Sequence, residues 1–200
     1  MRNTSLKSIA TKGIIWSAVD KFAVQFGQFV VSILLARILM PEDFGLIGML
    51  TIFIVLSQTF IESGLGIGLI QRQDSTDIDF STVFVFNLGV SSCFYLLLFF
   101  TSPLISTFFN QPQLTDLIRV LGLNLLIIAL AIVQRTKLTI AIDFKSIAKS
   151  NVIGMVVGGV FGVIAARNGY GVWALVIQTL LGSLATSVSL WVFSNWSPSF

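Results

Sequence analysis

The sequence contains no histidine and only one cysteine, Cys93. Without a second cysteine, the chain cannot form an internal disulfide or a cysteine-based metal cluster. Without histidine, it lacks the side chain that most often serves as a general base or metal ligand near neutral pH. These absences count against an enzyme or a metalloprotein, and we expect no metal or other cofactor.

Charged residues are also scarce, and this scarcity indicates the class of protein. Only 10% of the residues are charged, 55% are hydrophobic, and the mean hydropathy is +0.93. Soluble domains carry about 25% charged residues, so the lipid bilayer is the solvent that fits this composition. The net charge is only +3 and no segment resembles a nucleic-acid-binding module, so nucleic acid is not an expected partner.

The apolar residues are grouped into segments of the length that a membrane requires, roughly 20 residues per helix. We therefore predict an all-α membrane protein whose six-helix transmembrane lobe covers residues 13–193. The predicted spans are 13–36, 45–69, 82–102, 117–134, 151–167 and 172–193. Residues 1–12 are predicted to form a cytoplasmic interfacial segment, and residues 194–200 a cytoplasmic tail or the start of a linker.

The first connection has the clearest local signals, in LLARILMPEDFGLIGML at residues 34–50. Arg37 ends the first apolar run, and Pro41 disfavours helix at the residue before it. Glu42 and Asp43 then fall where a helix dipole favours negative charge. This pattern predicts a tight hairpin between the first two spanning helices.

The basic residues predict the orientation, because cytoplasmic connections carry an excess of Lys and Arg. With the N-terminus inside, eight basic residues lie on the cytoplasmic side and three on the other, with Lys21 inside the membrane. Six spans then return the C-terminus to the cytoplasm. The eight are Arg2, Lys7, Lys12, Arg72, Arg135, Lys137, Lys145 and Lys149; the three are Arg37, Arg119 and Arg167.

The first span carries a polar stripe. At 100° per residue, five polar side chains fall within an arc of about 80°, and Asp20 flanks it. The five are Ser17, Lys21, Gln25, Gln28 and Ser32. Polar and charged groups are costly in hydrocarbon, so this stripe is predicted to face protein or water.

Three other spans also carry polar faces. Gln58 and Glu62 share one face of the second span, Asn87 lies in the third, and Gln178 lies in the sixth. For Lys21 and Glu62 we favour a water-filled cavity. For the uncharged residues, the competing interpretation is that they only bond helices to each other.

The fifth span has a different pattern, in which Gly154, Gly158 and Gly162 recur at every fourth position. Small residues at this spacing allow helices to approach closely, so we predict a packing face, with flexing at these glycines as the alternative. The acidic cluster in QRQDSTDID lacks the pattern of a calcium loop. We interpret it as a solvated turn that caps the third helix.

Five motifs together suggest a family: LLARILMPEDFGLIGM, IESGLGIGLIQRQD, FFNQPQLTDLIRVL, LTIAIDFKSIAK and GYGVWALVIQ. In this order, they resemble the N-terminal half of Wzx-type polysaccharide flippases, in the WzxC/TuaB-like branch of the MOP superfamily. Members have two six-helix lobes, and the resemblance covers only the first. It therefore implies a lobe that faces a second lobe, either in a longer chain of which this is a fragment or in another copy.

The resemblance implies a function in surface polysaccharide biosynthesis at the bacterial cytoplasmic membrane. Such a protein flips a lipid-linked oligosaccharide of the undecaprenyl-diphosphate type between leaflets by alternating access, with membrane lipid around it. The implied substrate-cavity residues are Lys21, Gln25, Gln28, Gln58, Asn87 and Gln178. Asp20 and Glu62 are the implied coupling-ion residues, because a carboxylate at membrane depth can be protonated near neutral pH.

Three alternatives remain open from the sequence. A MATE-like drug or ion antiporter half has the same architecture, although Lys21 disfavours a cationic substrate. A membrane polymerase or ligase needs a large loop with catalytic side chains, whereas the predicted loop 103–116 is short and offers only Asp116. A non-transporting truncated lobe is the third alternative.

Overall fold

In a computed structural model, the structure describes the backbone of residues 2–62 and 77–198 and the side chains of residues 15–61 and 77–198. The described residues form seven α-helices and no strands. The helices are α1 (Arg2–Ala36), α2 (Pro41–Glu62), α3 (Asp77–Phe108), α4 (Leu114–Leu121), α5 (Leu123–Ile140), α6 (Phe144–Arg167) and α7 (Trp173–Ser194).

Six helical stretches in the described residues are long and apolar enough to cross a membrane. The fourth is Leu114–Ile140, in which α4 and α5 follow each other through Gly122. This arrangement confirms the predicted all-α bundle of six transmembrane helices. Residues 2–12, from the segment predicted to be interfacial, are continuous with the first span because α1 begins at Arg2. The last part of the predicted second span, residues 63–69, lies outside the described residues.

The turn predicted after the first span is present, since α1 ends at Ala36 and α2 begins at Pro41. Pro41 is the first residue of α2, where its missing N–H costs no hydrogen bond. Glu42 and Asp43 occupy the first turn. The Asp43 carboxylate also accepts a hydrogen bond from the Met40 backbone N–H at 3.1 Å, which closes the turn.

The prediction of a loop at 103–116 was wrong for most of that segment, and helix also covers most of 135–150, between the fourth and fifth predicted spans. α3 continues through Pro103 to Phe108, because the Ser102 hydroxyl donates at 2.8 Å to the Phe99 carbonyl that a proline leaves without a donor. α5 continues to Ile140, and α6 begins at Phe144. Polar residues end a hydrophobic span, but they do not end a helix.

Glycines bring α6 and α7 into close contact, as the glycine spacing predicted. A Cβ atom on Gly158 would lie 2.5 Å from the Gln178 carbonyl oxygen and 3.0 Å from Gly182 Cα. A Cβ atom on Gly154 would overlap the Thr186 side chain. We call this contact the α6–α7 seam.

α1 packs on the neighbouring side of α6 through larger side chains. The side chain of Met155 fills the space beside Gly27, and Val31 lies over Gly159. Leu35 continues this contact and is only 1% exposed. We call this contact the α1–α6 seam. The two seams place α6 between α1 and α7, which sets the walls of the site described next.

Candidate functional site

A cavity of about 620 Å³ lies among α1, α5, α6 and α7. Its apolar walls include Val24, Val31, Ile128 and Met155. Its polar lining consists of Gln28, Arg135, Thr136, Thr139, Asn151, Gln178, Thr179, Ser183, Thr186 and Ser187. A cavity with so many amide, hydroxyl and guanidinium groups can bind a polar ligand between helices whose outer surfaces are apolar.

The α6 glycines help to form this cavity as well as the seams. Gly154, Gly158 and Gly159 all line the cavity. Because they have no side chains, they leave space along the α6 side of it. Gln178 belongs to both the α6–α7 seam and the cavity. Its backbone carbonyl lies against Gly158, and it is also one of the residues that line the cavity. The packing motif and the polar face of α7 therefore meet at one place.

Arg135 is the one charged residue in the described lining of the cavity. One of its terminal guanidinium nitrogens donates to Asn151 Oδ1 at 2.9 Å. Asn151 Nδ2 in turn donates to Asp20 Oδ2 at 2.9 Å. We call these three residues the Arg135–Asn151–Asp20 chain; it links α5, α6 and α1. The second Asp20 oxygen, Oδ1, is buried without a hydrogen-bond partner among the described residues.

The structure places three of the sequence-predicted site residues at this cavity. Gln28 and Gln178 line it. Asp20 reaches its edge through Asn151. Their roles toward a substrate or a coupling ion stay predictions, but their common location is a feature of the fold.

The other predicted residues lie elsewhere. Lys21 and Gln25 are exposed along α1 and do not line the cavity. Gln58 is half-buried in α2. Asn87 is only 1% exposed within α3, and its Nδ2 is buried without a hydrogen-bond partner among the described residues. The side chain of Glu62 lies outside the described residues.

The sequence reasoning missed Arg135 and Asn151 as site residues. It assigned Arg135 to a loop, because a cation normally ends an apolar span. The available signal was the i, i+4 spacing of Arg135 and Thr139, which puts both on one face if the helix continues. Asn151 offered a weaker signal, as an amide at the start of an apolar segment.

No group of three or more acidic, histidine or cysteine side chains among the described residues could hold a metal ion. Asp77, from the predicted acidic turn, instead pairs with Lys137 Nζ at 2.7 Å. Asp77 and Asp79 lie in the first turn of α3, where the helix dipole favours negative charge. The Asp74 part of that cluster lies outside the described residues.

Six helical stretches that are long and apolar enough to cross a membrane define a multi-pass membrane protein, and helices from four of them line a cavity that contains polar side chains. Comparison with known proteins narrows this class. Residues 34–200 match the family described as polysaccharide biosynthesis protein, so the chain belongs to that family. The expected family relationship is thereby confirmed.

Three relatives illustrate the similarity. The chain is 26% identical over 190 residues to the succinoglycan biosynthesis transport protein ExoT of Rhizobium meliloti, covering 95% of this chain and 38% of ExoT. It is 26% identical over 183 residues to the lipopolysaccharide biosynthesis protein WzxC of Escherichia coli, covering 92% and 36%. It is 27% identical over 190 residues to the teichuronic acid biosynthesis protein TuaB of Bacillus subtilis, covering 94% and 39%.

The chain thus spans less than two fifths of the length of these relatives. None of the solved structures matches it.

Proposed function

We propose that this chain forms one six-helix lobe of a transporter that moves a lipid-linked oligosaccharide across the bacterial cytoplasmic membrane. The observation that carries the proposal is the cavity among α1, α5, α6 and α7, which places amide, hydroxyl and guanidinium groups between apolar helices. A charged sugar head cannot cross hydrocarbon unaided, because burying its polar groups without hydrogen bonds costs several kcal/mol for each group. Family membership and the names of the relatives, which include a transport protein, support the same reading.

The size and the chemistry of the cavity suit part of such a head group. Ligand pockets typically measure roughly 300–1,000 Å³, and this cavity of about 620 Å³ falls within that range. Amides such as Gln28 and Gln178 and the hydroxyls of α7 can bond sugar hydroxyls. Arg135 offers a planar fork that matches phosphate oxygens. We assign it the anionic part of the head group.

The exposed polar stripe on α1 supports a second lobe as the partner. Lys21, Gln25 and Ser32 are exposed in this lobe alone, although they lie within a membrane span. Lipid contact is costly for such groups, so protein or a water-filled passage must cover them. A second six-helix lobe, from the same longer protein or from another copy, would complete a passage lined by Lys21 and Gln25. Rocking of the two lobes would then give alternating access.

The basic residues suggest which membrane side loads the substrate. The cavity extends toward the bundle end where α5 finishes and α6 begins, which also carries Lys137, Lys145 and Lys149. Excess Lys and Arg favours the cytoplasmic side, so we place this end, with both termini, in the cytoplasm. The cavity would then accept the head group from the cytoplasmic leaflet.

Asp20 is our candidate for the coupling ion, with Glu62 as the second predicted carboxylate. Asp20 has a buried oxygen without a partner and connects to the cavity through Asn151. This carboxylate would hold the coupling ion while the substrate moves.

Substitutions in the native gene test the proposal. Arg135→Gln and Lys21→Ala should each lower the amount of surface polysaccharide, while immunoblots show unchanged protein. Arg167→Ala is the matched control, because Arg167 is an exposed cation at the opposite end of α6. Wild-type polysaccharide in both Arg135→Gln and Lys21→Ala cells would contradict the proposed transport role.

A further inference from the structure

The Arg135–Asn151–Asp20 chain links a cation and an anion through a neutral amide. Asn151 Oδ1 accepts a hydrogen bond from Arg135 while its Nδ2 donates one to Asp20, so the amide serves as acceptor and as donor. This orientation is the only one that serves both charges, because the reversed amide would point its N–H groups at the guanidinium. The two flanking charges therefore fix the orientation of the Asn151 amide, and the amide in turn fixes the position of the Arg135 guanidinium.

The three residues lie on three different helices, so their arrangement depends on the packing of the bundle. Arg135 belongs to α5, Asn151 to α6 and Asp20 to α1. Asn151 is half-buried next to the α1–α6 seam and also lines the cavity, whereas Arg135 is exposed. An exposed arginine side chain ordinarily samples many rotamers, and its loss of freedom on binding weakens the interaction.

We propose that Asn151 is a positioning residue, which holds the Arg135 guanidinium at the cavity wall as a preorganised site for a phosphate-like anion. The identity of the anion rests on the proposed function, but the positioning of Arg135 by Asn151 does not. An incoming anion carries the opposite charge and can bond the guanidinium through two oxygens at once, whereas Asn151 offers it one neutral oxygen, so the anion can take over the guanidinium. Asp20 acts through Asn151, by holding its amide in the productive orientation.

The test measures the reactivity of Arg135 toward phenylglyoxal, which modifies arginine side chains, with peptide mass spectrometry as the readout. The purified 200-residue chain is reconstituted in phosphatidylcholine nanodiscs. Asn151→Leu should raise the rate of Arg135 modification about two-fold or more, because the guanidinium loses its acceptor. Asn151→Gln, which keeps the amide, should restore part of the protection.

Asp20→Leu supplies a second variant that leaves Asn151 in place. It should raise the rate less than Asn151→Leu, and the double variant should be no more reactive than Asn151→Leu alone. Additive effects of the two substitutions would overturn the claim that Asp20 acts through Asn151. An unchanged Arg135 rate in Asn151→Leu would overturn the proposal as a whole.

Two controls keep these outcomes distinct from unfolding. Arg37 and Arg167, at the other end of the bundle, are modified in the same sample and should keep their rates. Asn168→Leu removes the asparagine that follows α6 and whose side-chain amide donates to the Ile164 carbonyl, and it should leave Arg135 unaffected. A variant that changes the modification rates of Arg37 and Arg167 as much as the rate of Arg135 has lost its fold. The rate of Arg135 in Asn151→Gln then tests the proposal.

Inorganic pyrophosphate separates the positioning role from the proposed function. It should protect Arg135 in the unsubstituted chain, and Asn151→Leu should require a several-fold higher concentration for the same protection. If pyrophosphate fails to protect Arg135 although Asn151→Leu still raises the rate, the positioning role stands and the anion-binding part of the proposed function fails.

Discussion

The two sides of α6 differ in how they contact their neighbours. On one side, the α6–α7 seam brings backbone against backbone at Gly158 and Gly182. On the other side, the α1–α6 seam relies on side chains, with Met155 beside Gly27 and Val31 over Gly159. The first seam has no room for change, whereas the second can adjust by side-chain rotation. We therefore expect that, of these two contacts, the one between α1 and α6 is the one that can shift.

An engineered disulfide across the α1–α6 seam has the largest expected effect. A Cβ atom on Gly159 would lie 3.7 Å from Val31 Cβ, within the range of natural disulfides. Val31→Cys/Gly159→Cys, with Cys93→Ser, should therefore cross-link under mild oxidation. Closing a loop on the order of 100 residues should stabilise the folded state by about 4–5 kcal/mol on chain-entropy grounds.

Protease cleavage between the two helices followed by non-reducing electrophoresis detects this cross-link. Ile33→Cys/Gly159→Cys is the control, because Ile33 is exposed on a different face of α1 and should not cross-link. Equal cross-linking of both pairs would show that α1 has no fixed face toward α6. If the locked protein in cells still delivers normal polysaccharide, α1 does not need to move.

A glycine substitution in the α6–α7 seam comes next in size. Gly158→Ala should destabilise the lobe by about 1–3 kcal/mol, because its Cβ would meet backbone atoms that cannot rotate away. Gly89→Ala is the matched control, since a Cβ at Gly89 meets nothing within 4 Å. It should be neutral or stabilising by up to about 1 kcal/mol, from the helix preference of alanine. Thermal unfolding in detergent measures both, and effects of the same sign would contradict the close seam.

The smallest effect concerns the start of α6, the helix shared by both seams. Asp143 caps it by accepting hydrogen bonds from the Ser146 backbone N–H at 3.2 Å and from the Ser146 hydroxyl at 2.6 Å. Asp143→Ala should cost about 1 kcal/mol in thermal unfolding. Asp116→Ala removes an exposed acidic residue from the first turn of α4 and should cost less than about 0.5 kcal/mol. A similar loss in the two variants would mean that the cap does not matter.

The sequence predicted local features of the fold better than features that depend on several helices. Pro41 and the glycine repeat act within one or two neighbouring helices, so their spacing alone carried the information. Arg135 and Asn151 meet across α5 and α6, and no periodicity within either helix reveals such a meeting. The end of α5 was also hidden, because Arg135 and Lys137 end an apolar run while the helix continues to Ile140.

The polar stripe of α1 also shows what residue spacing within one helix cannot predict. Its helical spacing separates Lys21 and Gln25 from the apolar side that holds Phe22 and Phe26, but all four are exposed in this lobe. The spacing of polar residues indicates that one face of a helix must be shielded from lipid. It does not indicate which protein or water provides that cover, because none of the described helices covers Lys21 or Gln25.

Labelling of single cysteines along α1 tests the central claim, that one side of this helix faces a polar passage and the other faces lipid. In membranes containing the Cys93→Ser protein, a hydrophilic maleimide is applied to Gln25→Cys and Gln28→Cys and to their neighbours at the same depth, Phe26→Cys and Phe29→Cys. We predict that the two glutamine positions react several-fold faster than the two phenylalanine positions. Equal rates, or faster reaction at Phe26→Cys and Phe29→Cys, would contradict a polar passage along α1.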